Sequence, residues 1–144
     1  MADVAQMTQR VLDVSRVYQE VAGALLNRAE ALRAAKRLGA ANFKTVHEAY
    51  ASILAHAADM LVELDDELAT RLDESLAGVE KATAALKQSE TQIAKAAKIT
   101  QVAATVLDAA AAVAIFVAAP SVGGAEAAAK TIAGAVTAAT AKSA

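Results

Sequence analysis

The side chains best equipped for chemistry sit in the middle of the chain. His56, Asp59 and Glu63 fall at i, i+3 and i+7, so on a continuous helix an imidazole and two carboxylates share one face. Such a set could hold a divalent metal ion only with a further ligand from another element, and a solvated polar face is the simpler expectation. His47 lies nine residues before His56, so the two histidines share no helical face, and neither has the HExxH or ExxH spacing of a two-ligand helix. Glu63, Asp65, Asp66, Glu67, Asp73 and Glu74 add an acidic patch. It would attract hard cations weakly, because it lacks the spacing and central glycine of an EF-hand loop. Gly123 and Gly124 follow Pro120-Ser121-Val122 without the Lys-Ser/Thr of a phosphate loop, and they read as a turn. Cysteine is absent, which excludes disulfides and thiolate metal sites. No Ser-His-acid set can be assembled. These residues predict a non-enzymatic protein with no catalytic, cofactor-binding or metal-binding residues and no cofactor.

The elements that would position these residues are helical. Alanine fills 42 of 144 positions, whereas Val, Leu, Ile and Phe together fill only 34. Alanine loses no side-chain entropy in a helix, and no period-2 run of β-branched residues suggests a strand. The expected class is all-α: an elongated antiparallel helical bundle or coiled coil ending in an Ala-rich apolar helical hairpin. Residues 1–98 would form the amphipathic body and residues 99–144 the hairpin, within one domain.

Helix 1 is predicted from Val4 to Leu38, capped by Asp3 with Gln6 as its capping-box partner and stopped by Gly39. Val4, Met7, Val11, Val14, Tyr18, Val21 and Leu25 form an unbroken 3-4 seam over three heptads, which Arg28 interrupts. Leu12 and Leu26 widen the stripe, as a bundle requires. Helix 2 starts near Asn42 and carries Val46, Tyr50, Ile53, Ala57, Met60 or Leu61, and Leu64. A third segment repeats Leu72, Val79, Leu86 and Ile93 at sevenfold spacing. A continuous helix from 42 to 118 would be about 115 Å long at 1.5 Å per residue. A break is therefore expected between Glu63 and Gly78, with Asp65-Asp66 or Ser75 as cap, giving helices of about 30 to 35 residues in an antiparallel bundle.

Charge is uneven along the chain. Residues 1–40 carry six cations and four carboxylates, residues 41–74 two and eight, and residues 75–144 six and four. Antiparallel helices with complementary faces are the expected use of this pattern. No basic stripe and only four aromatic residues are present, so no nucleic-acid partner is expected. The opening MADVAQMTQR lacks the basic and apolar regions of a secretory signal. The expected product is a cytoplasmic, initially soluble chain. The hairpin adds membrane association or export by a non-classical route as further expectations.

That hairpin departs furthest from an ordinary soluble helix. Val102 to Ala119 contains only two polar side chains, Thr105 and Asp108, and has about the length of a bilayer span. Val102, Val106, Leu107, Val113, Ile115, Phe116 and Val117 contribute roughly −2 to −4 kcal/mol toward insertion, while a central Asp108 costs roughly +2.5 to +3.5. The sum is about zero, so insertion would need an oligomer that hides Asp108. The second arm, about Ala125 to Ala141, offers Gly134 and Ala138 for close backbone approach. Lys130, Thr131, Thr137, Thr140 and Lys142 make it a poor second span.

In outline the layout is similar to α-helical pore-forming toxins and colicin-type pore domains, which hide an apolar hairpin until they meet a membrane. Its Ala-rich, cysteine-free amphipathic helices also resemble phasins, which coat polymer granules. The leading expectation, from the apolar hairpin and the seam, is a self-associating protein with a membrane-active hairpin, a pore-forming or toxin-like component with membrane lipid as partner. The rival expectation is a soluble scaffold, coat or adaptor that forms a homo-oligomer or binds a helical protein, its hairpin serving as core or oligomer interface. The rival predicts that Ala111→Leu or Ala112→Leu would overpack the protein, while a lipid-facing arm would tolerate either.

Overall fold

The computed structural model describes residues 3–141, and all secondary structure among them is helical. Helix α1 spans Val4–Ala34, α2 Ala40–Asp59, α3 Asp66–Gln88, the single turn α4 Glu90–Ile93, α5 Ile99–Ala118 and α6 Val122–Thr140. Side-chain caps explain three of the six starts. The Asp3 carboxylate accepts from the amides of Ala5 and Gln6, Asp65 from Leu68 at 2.8 Å, and the Ser121 hydroxyl from Gly124 at 2.9 Å. Each satisfies an amide that a helix start leaves without a partner.

Helix α1 ends four residues short of the expected Leu38. Lys36, not Gly39, takes the left-handed conformation at φ 61°. Its amide donates to the Arg33 carbonyl and the Arg37 amide to that of Leu32, a Schellman closure. Gly39 instead caps the start of α2. The break after α2 falls at residues 60–65, and Asp65 caps the next helix as one of the two predicted alternatives. A second reversal, at residues 94–98, was not expected. It divides the predicted long third segment into α3, α4 and α5, and α3 runs into α4 through Ser89, whose hydroxyl donates to the Ala85 carbonyl at 3.0 Å. Apart from α1 with 31 residues and the four-residue α4, the helices are therefore about 20 residues long rather than 30 to 35. Lys142 lies outside the described residues.

Cross-links give the helix directions. Ser15 Oγ donates to the Ala57 carbonyl at 2.8 Å across the antiparallel pair α1 and α2. Arg10 bonds Glu80, Glu20 approaches Lys87 at 3.7 Å, and Arg28 reaches Ala96, so α1 and α3 run parallel. The end of α6, at Ala138 and Ala141, lies against Lys98 and Val102 at the start of α5, which makes the hairpin antiparallel. Helices α1, α3 and α6 thus run one way, and α2 and α5 the other. Around the bundle the neighbours are α1, α2, α5, α6 and α3, closing back on α1.

The core fills the centre of this ring. Met7, Val11, Val14, Tyr18, Val21 and Leu25 are buried and Val4 is half-buried. The seam of α1 is therefore covered by helices of its own chain, with Leu12 and Leu26 half-buried beside it. From α5 come Ile99, Val102, Ala103, Val106, Ala109, Ala110, Val113, Ala114, Phe116 and Val117, half of that helix. One polar contact lies inside the core and a second, half-buried, joins α1 to α3 at its edge. The Tyr18 hydroxyl lies 3.3 Å from that of Thr83, and burial pushes the Tyr18 phenol above its ordinary range. Arg10 makes a paired hydrogen bond to Glu80, whose carboxylate holds the guanidinium even more firmly protonated.

Candidate functional site

The chemistry-bearing residues are not brought together. Helix α2 ends at Asp59, so Glu63 lies in the connection and does not continue the face of His56. His56 Nδ1, half-buried, stands 3.9 Å from an exposed Asp59 carboxylate oxygen at i,i+3. His47 sits on the surface of α2 between Phe43 and Tyr50, with ring centroids 6.3 and 6.2 Å away. Among the described residues no group of three or more His, Asp or Glu side chains could hold a metal ion.

The hairpin residues divide cleanly by face. Val102, Val106, Val113, Phe116, Val117 and Pro120 are buried, whereas Asp108, Gly123 and Ile115 are exposed and Leu107 is half-buried. Thr105 needs no outside partner, because its hydroxyl donates to the Val102 carbonyl at 2.9 Å. Helix α5 alone among the described helices is long and apolar enough to cross a membrane, and half of it is inside the bundle. Close packing in the hairpin occurs at Gly124. An added Cβ there would stand 2.9 Å from Ser121 Oγ and 3.6 Å from the Phe116 ring. Gly134 plays no such part: it is exposed, and nothing lies within 4 Å of where its Cβ would be. Ala111 and Ala112 are half-buried, and the tightly enclosed pair is Ala109 and Ala110.

The two ends of the bundle differ, and the sequence did not make this visible. The three exposed large apolar side chains among the described residues, Leu61 at 47%, Ile115 at 72% and Val122 at 62%, all lie at one end. Leu61 is in the α2–α3 connection, Ile115 in the last turn of α5 and Val122 at the start of α6. Beside Ile115 a groove of about 250 Å³ runs between α5 and α6, floored by Phe116, Ala128 and Gly124. The same end carries seven carboxylates: Asp3, Asp59, Glu63 and Asp65, with Asp66 and Glu67 in the first turn of α3 and Glu126 in α6. Among the described residues there, Arg71, paired with Glu67 at 2.8 Å, is the one Lys or Arg. The opposite end carries Arg28, Arg33, Lys36, Arg37 and Lys44, with Lys95 and Lys98 in the α4–α5 connection, against Glu30, Glu48 and Glu90. Arg28, the residue that interrupts the seam, donates to the Ala96 carbonyl at 2.9 Å and secures that connection. Arg33 lies over the Phe43 ring at 4.6 Å.

In comparisons with known proteins, no family model, no curated protein and no solved structure matches the chain. Fold and surface together define a class: a helical bundle of five long helices and one short turn, with an apolar acidic end and a basic end.

Proposed function

We propose that this chain is a non-enzymatic helical bundle that acts in water through protein–protein contact, as a scaffold or adaptor, with its C-terminal hairpin as part of the core. The observation that carries this reading is the placement of α5. Val102, Val106, Val113, Phe116 and Val117 are buried against α1, α2 and α6, while Asp108 faces solvent. Withdrawing α5 into a bilayer would uncover the apolar faces it covers on those helices. At roughly 1.5–3 kcal/mol for each large side chain exposed, even four would cost about 6–12 kcal/mol. That is of the order of a whole domain's stability. Insertion of α5 returns about zero by membrane-insertion energies, because Asp108 offsets its apolar residues.

A second reading has its own support. Ile115 and Val122 are exposed at the hairpin tip, where a partly opened bundle would first meet a lipid surface. Flotation with vesicles separates the two. Protein mixed with neutral and with anionic liposomes should stay in the aqueous fraction and release no trapped dye. Co-flotation with leakage would remove the scaffold reading and install the membrane-active one.

A further inference from the structure

A water-soluble bundle that works by contact needs a surface to make contact with. The seam of α1 would have been the natural oligomer interface, but its own chain covers it. What is left uncovered is concentrated at one end: Leu61, Ile115 and Val122, ringed by carboxylates. Helix physics accounts for part of that acidity. Asp3 and Asp65 cap helices, and Asp66 and Glu67 complement the α3 dipole. Asp59, Glu63 and Glu126 have no such role, and all three stand beside the exposed apolar residues in the α2–α3 connection and at the start of α6.

We infer that this end docks on the basic end of a second copy of the chain, so that copies associate head to tail; the inference rests on the scaffold reading above. The chain itself displays the complementary surface. Among the described residues, seven cations stand against three carboxylates at the opposite end, around the half-buried Leu38 and Phe43. Long-range attraction between the two ends orients the encounter, and apolar contact of Leu61, Ile115 and Val122 excludes water at its centre. An anionic membrane is the less suitable occupant, because the carboxylates would repel it. Because donor and acceptor surfaces lie at opposite ends, each docked copy leaves one of each unoccupied. The contact is heterologous and grows into open chains rather than closing as a twofold dimer.

Sedimentation velocity tests this on the full chain at roughly 20 mM and roughly 500 mM salt, conditions that span weak and strong screening. At low salt the protein should form species larger than dimers as concentration rises, and high salt should return it to monomer. Ile115→Asp with Val122→Asp blocks one end, and Lys36→Glu with Arg37→Glu blocks the other. Each double variant should lose at least roughly tenfold in association constant. All four positions are exposed, so helicity should be unchanged. Mixing the two variants one to one should restore a dimer and nothing larger, since each supplies the end the other lacks. A monomer at low salt, or a mixture that fails to pair, overturns the inference. Flotation of the same samples with vesicles separates the failures. Vesicle binding with dye leakage removes the scaffold reading, whereas a monomeric protein that releases no dye removes only head-to-tail docking.

Discussion

Phe116 and its neighbour Ile115 offer a sharp test of how α5 is oriented. Phe116 is 2% exposed and its ring packs beside Gly124, while Ile115 is 72% exposed on the other side of the same turn. Truncating a buried phenylalanine to alanine removes its transfer energy and leaves a cavity, typically about 3–5 kcal/mol together. At roughly 3–4 °C per kcal/mol for a chain of this size, Phe116→Ala should lower Tm by about 10–20 °C. Ile115→Ala removes side-chain surface that water already reaches and adds the better helix former. It should stay within about 0.5 kcal/mol of the parent. Urea titration followed by helical circular dichroism measures both variants directly. A helix standing in lipid, or one rotated about its axis, would not separate adjacent apolar residues in this way. Equal losses at the two positions would refute the orientation of α5 and the argument built on it.

Three other outcomes follow from the same structure. Ala110→Leu should destabilise by about 1–3 kcal/mol through overpacking, while Ala104→Leu on the exposed face should be neutral; denaturant melts of the pair check it. Lys36→Gly should raise stability by up to about 1 kcal/mol in the same assay, because Lys36 holds a left-handed φ that costs an L-residue energy and glycine nothing. Burial, then the nearby Glu20, raises the Glu90 carboxyl above its ordinary range against the pull of Lys87, and one Glu90 oxygen is buried without a hydrogen-bond partner. A folded-state value above the unfolded one means that Glu90 stabilises the fold only at low pH and loses that contribution as pH rises through the folded value. Glu90→Gln should therefore be more stable than the parent at pH 7, by up to about 1 kcal/mol, with the gap closing below about pH 4 in melts across pH.

The residues that carried the sequence argument furthest were those whose signal is local. Asp3 and Asp65 announce helix starts because a short carboxylate can reach its own backbone amides. The seam from Met7 to Leu25 announces its face by period alone, and Pro120 keeps Ala119 out of the helical region, at φ −145° and ψ 74°. What failed depends on distant partners. The α1 stop sits on a lysine with no turn signal, while Gly39, the evident candidate, starts the next helix. The reversal at 94–98 contains neither glycine nor proline. It is held by Arg28, 68 residues earlier, whose charge in the seam was the only trace of that role. Missing that reversal also hid the charge polarity of the molecule. On a long third segment Lys95 and Lys98 would lie mid-helix, but with a turn at 94–98 they gather at the end that carries Arg33, Lys36 and Arg37. The apolar run in α5 was legible by composition, but composition cannot separate a core helix from a membrane span, and only its neighbours decide.

The most direct test of the central claim is amide hydrogen exchange along α5 in buffer, repeated with anionic liposomes. The account predicts that the amides of Val106, Ala110 and Val113 exchange only through global unfolding, at the same rate as those of Val21 and Leu25 in α1, and that lipid leaves all five unchanged. Faster exchange of α5 than of α1, with a change in α5 protection when liposomes are added, would show that the hairpin leaves the core and would contradict it.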